Sequence, residues 1–206
     1  MSNSSGNAYG LTVLSPIKNG MIGESSYVSK TRRVIQQLAL AENSPMAKFP
    51  QTYLCRFFII NDVFYQGTPY KEEHLKSKYL CWSTNFHGKR NEYLENMWQA
   101  ISSDVKKIWQ HCVAFDEVDS AADFVKYIKK CQLNISLFFN GSNDEELEVQ
   151  LKALYLRQEF TKFAAKSQGL GAADLQQAFN KFIGNTQPSD LSQPTWVPGQ
   201  QQLASA

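Results

Sequence analysis

The 206-residue sequence predicts an α+β fold built on an antiparallel sheet, and three observations carry that prediction. Two runs, "YLCRFFIIND" (53–62) and "YLCWSTNFHG" (79–88), have the apolar, aromatic and β-branched content of strands. From 91 to 112, Leu94, Met97, Trp98, Ile101, Val105, Ile108, Trp109 and Cys112 recur at steps of three and four, as a helix with one buried face requires. A further run, "NISLFFNG" (134–141), ends on the turn signal Asn-Gly and reads as another strand.

The elements follow in order. Residues 1–9 are small and polar and are expected to be a loose leader. "GLTVLSPI" (10–17) is a short strand, closed by Pro16 and by "KNG". A helix is expected over 25–41, where Val28, Val34, Ile35, Leu38 and Ala39 fall at helical steps; Pro45 and Pro50 end the connection that follows. After the two central strands and the long helix, Ser120 caps a shorter helix through "FVKYIKKC". Ser142-Asn-Asp-Glu145 fits a capping box for a helix over about 144–165, and a last helix over 172–183 follows the break "GLG". The chain divides into a flexible leader (1–9), a single domain (10–183) and a disordered tail rich in Pro, Gln and Ser (184–206). With the insertions set aside the order is β-α-β-β-α-β, the ferredoxin-like split βαβ arrangement with extra C-terminal helices. A sheet with helices on one face leaves its other face for a partner, and a homodimer is expected.

Composition narrows the function. Lys and Arg number 21 against 19 acidic residues, with no basic block, which disfavours nucleic acid as a partner. No apolar run approaches the roughly 20 residues of a membrane helix, and no secretory signal opens the chain; a cytoplasmic protein without a membrane partner is expected. The four cysteines lack the close pairs of a zinc site and are expected to be reduced and packed. No P-loop, GxSxG, HExxH or dinucleotide fingerprint is present.

"LTVLSPIK", "SPMAKFPQTYLCRFFIIND", "YLCWSTNFHGKRNEYLENM" and "LFFNGSNDEELEVQLKALYLRQEF", in this order, resemble a little-characterised group of ferredoxin-like bacterial proteins of the dimeric α/β-barrel type. That group is associated with peroxidases, lipoxygenases and other oxidative enzymes, as neighbouring or fused modules. The resemblance covers about 10–165 and implies an accessory protein of oxidative metabolism that binds an apolar, carboxylate-bearing small molecule or a partner oxidative enzyme. The alternative it implies is an enzyme, either a cofactor-independent oxygenase or a haem-binding peroxidase-like protein.

The residues matching the group's polar strand positions are Arg56, Asn85 and His87, although relatives often carry an acidic residue at the last of these. Strand alternation sets Arg56 beside Leu54 and Phe58 on one face, and Asn85 and His87 together on a face of the second strand. Both faces of the first strand are apolar, so Arg56 is expected in a semi-enclosed pocket between sheet and helices. There it would bond a ligand carboxylate or pair with Asp62, Glu92 or Asp116, with Trp82 and Phe58 shaping the walls. No cofactor is called for, apart from haem under the enzyme reading, and no metal.

Overall fold

The computed structural model of the chain describes residues 3–142 and 144–197. These form two compact units, divided between Asp144 and Glu145, where the sequence predicts one domain over 10–183. The N-terminal unit is α+β and the C-terminal unit is all-helical.

The N-terminal unit is built on a four-stranded antiparallel sheet. Its strands are β1 (Ser4–Ser5), β2 (Ala8–Pro16), β5 (Thr52–Ile60) and β6 (Tyr79–His87), in the spatial order β1-β2-β6-β5. A separate two-residue pair, β3 (Met21–Ile22) with β4 (Ser25–Ser26), leads into helix α1 (Tyr27–Gln36). Ser26 caps α1 through its hydroxyl, so this helix starts and stops inside the expected 25–41. Helices α2 (Arg90–Trp109) and α3 (Ala121–Cys131) complete the unit, and Ser120 accepts from the Asp123 amide at 3.1 Å as the sequence predicts.

One face of the sheet meets the helices and holds the core. Leu11, Val13, Trp82 and Phe86 from the strands pack with Tyr93, Met97, Ile101, Val105 and Trp109 from α2 and Phe124 and Ile128 from α3, all of them buried. Aromatic rings run through this layer: Phe86 stacks on Tyr93 with centroids 3.7 Å apart, and Trp82 meets Trp109 edge-on at 5.4 Å. The predicted stripe of α2 is therefore the core stripe. Trp98 lies at its margin, half-buried against Phe124 and beneath the ammonium group of Lys106.

The strand expected at 134–141 does not form, and the reason lies at the edge of β2. The amide of Gly10 donates to the Asn3 carbonyl, Ser4 and Ser5 pair with Tyr9 and Ala8, and the amide of Leu133 takes the Thr12 carbonyl. Residues 3–9, predicted to be a loose leader, have thus taken the edge positions that a fourth strand would need. Segment 134–141 instead runs without a ladder, Leu137 and Phe139 are exposed, and Phe138 lies on Gly10, its ring 2.6 Å from where a Cβ would sit. A ferredoxin-like strand order is accordingly not formed in full.

The cysteines are free thiols. Cys81 and Cys112 are buried; Cys55 takes a hydrogen bond from the Trp82 indole at 3.2 Å. Burial pushes the Cys55 thiol up to about 11 and the Cys112 thiol up to about 12.

The C-terminal unit is a pair of helices, α4 (Leu147–Lys166) and α5 (Ala172–Thr186), joined through Gly169 at φ +80° and the N-cap Gly171. Phe160, Phe163, Phe179 and Phe182 meet between them. The expected capping box before α4 includes Asn143, which lies outside the described residues; the N-cap is Glu146. Of the expected disordered tail, 184–186 belong to α5 and 187–197 are described without regular structure, with the Lys152 ammonium bonded to the carbonyls of Thr186 and Pro194. The rest of that tail lies outside the described residues. No described helix is long and apolar enough to cross a membrane.

Candidate functional site

Register decides which predicted site residues meet. Arg56 pairs across the ladder with Ser83, Leu54 with Asn85, and Phe58 with Cys81. Arg56, Leu54, Phe58 and Asn85 therefore share the face turned away from the helices. Trp82 pairs with Phe57 and faces the other way, fully buried in the core. It does not belong with Arg56, and the expected wall residue is a core residue.

Nor is Arg56 enclosed. It is exposed, as are Leu54 (46%) and Phe58 (48%), while Asn85 is half-buried near the corner covered by Phe138. The three carboxylates expected as partners are engaged elsewhere: Asp62 with His74, Glu92 with Lys89 and Asp116 with Lys18. Among the described residues Arg56 makes no hydrogen bond or ion pair. The site is an open surface rather than a pocket between sheet and helices. It consists of a charge that cannot be given up, set between two apolar side chains at strand spacing.

His87 is tied down at the strand end. Its Nδ1 lies 3.1 Å from the Tyr53 hydroxyl and 3.0 Å from the Asp144 carbonyl, to which Tyr53 also donates. Tyr53 reaches this position because the strand bulges there: Thr52 pairs with Phe86 and Leu54 with Asn85, so the register shifts between them. This three-residue cluster was not legible in the sequence, because the bulge changes strand parity.

Two further clusters lie outside the predicted set. In the loop between β5 and β6, Asp62 accepts from the amides of Val63 and Leu75 and bonds His74 Nδ1 at 2.8 Å. The Leu75 amide first, then the His74 side chain, hold the Asp62 carboxyl down at about 2, and His74 is raised by the same bond. This clasp closes the neck of a loop whose tip exposes Phe64, Tyr65 and Tyr70. Within the C-terminal unit, one face of α4 and Trp196 form an open surface groove of about 620 Å³, lined by the exposed residues Leu154, Arg157, Thr161, Lys162 and Lys166 among others.

No group of three or more His, Cys, Asp or Glu among the described residues could hold a metal ion. His74 and His87 are bonded at Nδ1 as described, and His111 stands against the Tyr27 ring at 5.5 Å. No protein-family model, curated protein or solved structure matches the chain.

Proposed function

We propose that the protein is a non-catalytic accessory component of oxidative metabolism, which works by docking through the sheet face centred on Arg56. One observation carries the docking: exposed Leu54 and Phe58 flank an arginine that has no partner among the described residues, on the face that α1, α2 and α3 leave uncovered. Exposed aromatic and aliphatic side chains around an arginine are the composition of interface centres. The occupant is a second copy of the chain, giving a homodimer, with Arg56 set against Asn85 or sheet-edge carbonyls of the other copy.

Two lines support the ferredoxin-like reading of the N-terminal unit. The three long strands lie in the order β2-β6-β5, first-third-second along the chain, as the split βαβ arrangement requires. Residues 132–133 also meet β2 at the edge where its fourth strand would pair. The oxidative setting rests on the sequence resemblance alone. A partner oxidative enzyme on the same face is the competing occupant, since it would need only a carboxylate to meet Arg56.

Sedimentation velocity on the full chain tests the reading. The wild-type protein is expected to sediment as a dimer at micromolar concentration, and Arg56→Glu and Phe58→Asp as folded monomers. A wild-type monomer at those concentrations removes the homodimer.

A further inference from the structure

The groove along α4 differs from the sheet face in both shape and charge. Leu154, Arg157 and Thr161 fall at helical steps of three and four, as do Lys162 and Lys166 one residue on, so the lining residues form one stripe. From Leu154 to Lys166 the stripe is about 18 Å long at 1.5 Å per residue. Trp196 walls it from outside the helix, half-buried. At about 620 Å³ the groove falls within the range of small-molecule sites.

Its charge is one-sided. Among the described residues, three cations and no carboxylate line it. Lys162 is bonded to Glu159 at 2.8 Å, whereas Arg157 and Lys166 have no ion pair among the described residues. A cation in the last turn of a helix is favoured by the macrodipole, which accounts for Lys166. It does not account for Arg157 at mid-helix, nor for the indole and leucine beside these cations. The Thr161 hydroxyl donates back to the Arg157 carbonyl at 2.9 Å, which leaves its oxygen free to accept or turn.

We infer that this groove binds a single-chain amphiphile with an anionic head, a carboxylate or a phosphate. The head lies against Arg157 and the Lys162/Lys166 turn, where guanidinium and ammonium groups offer charge-assisted bonds. The chain lies along Leu154 and the face of Trp196. The inference rests on the reading of the chain as a binding protein, but on different residues from the docking face, so the two fail separately.

The test uses the full chain and four probes: dodecanoate, dodecyl phosphate, 1-dodecanol and an octaglutamate peptide. Binding is read as a change in tryptophan emission that disappears in Trp196→Phe, with calorimetry as a second readout. Either anion is expected to bind saturably below its micelle concentration, at least tenfold tighter than 1-dodecanol; the tighter of the two names the head group. Arg157→Gln combined with Lys166→Gln, checked for helix content, should weaken it at least tenfold, and Arg56→Met should leave it unchanged. The proposal is overturned by 1-dodecanol binding as tightly as the anions, by binding that survives the double substitution, or by no saturable binding. Binding of octaglutamate alone overturns it too, and makes the groove a peptide site.

Discussion

The ammonium group of Lys152 in α4 donates to the carbonyl of Thr186, the last residue of α5, at 2.8 Å, and the residue is only 2% exposed. A second bond at 2.8 Å reaches Pro194, and the Tyr155 ring lies 5.7 Å away. A cation here sits where the α5 dipole ends negative and fastens the following strand of chain to the helix pair.

Lys152→Met is therefore expected to destabilise the C-terminal unit by about 2–4 kcal/mol, since it takes the donor from two carbonyls, that of Thr186 buried and that of Pro194 half-buried. Limited proteolysis of the full chain should show new cleavage between 187 and 197. Removing residues from 186 onward should act in the same direction, because Lys152 then loses both acceptors. An unchanged melting curve in both variants would show that the bonds contribute nothing.

The Asp62–His74 clasp predicts a pH dependence. Asp62 is held down at about 2 and His74 is raised above 6.5, so folding favours the charged form of each. The carboxylate contribution is present at neutral pH and is lost as pH falls through about 2. The histidine contribution is full below pH 6.5 and is lost as pH rises through the raised folded value. The loop neck should accordingly be best held in mildly acid solution. NMR titration checks this: Asp62→Asn should bring His74 down toward 6.5 and leave His111 where it is.

Gly10 and Phe138 supply a packing prediction. A methyl group at position 10 would stand 2.6 Å from the Phe138 ring, closer than two carbons can pack. Gly10→Ala should cost about 1–3 kcal/mol by urea denaturation, or else displace 134–141. In a Phe138→Ala background the same change should be close to neutral, because the clash is gone. Equal costs in both backgrounds would place the effect in the strand backbone instead.

Much of the N-terminal unit was legible because its signals are periodic. The α2 stripe from Leu94 to Trp109 and the alternation of Arg56 with Phe57 fix which side chains share a face. Alternation did not reveal which face the helices cover, since Leu54 and Phe58 are as apolar as Phe57 and Ile59. Arg56 was thus expected in an enclosed place that the packing of α1, α2 and α3 puts on the opposite side. The missing strand is a matter of competition: "SS" at 4–5 has no apolar pattern, yet it pairs with β2 ahead of "NISLFFNG". Trp196 was hidden for a similar reason, since proline-rich surroundings suggest disorder, whereas the Lys152 bond to Pro194 ties down the chain beside it.

All four cysteines lie in the N-terminal unit, and all have thiols raised by burial. The C-terminal sequence from 145 onward has none. Maleimide reagents need a thiolate, so at neutral pH the native protein should be nearly inert to them. A single cysteine introduced on α5 would then be a unique attachment point. A fluorophore or spin label placed there reports the helical pair alone, without replacing any native residue of the α+β core.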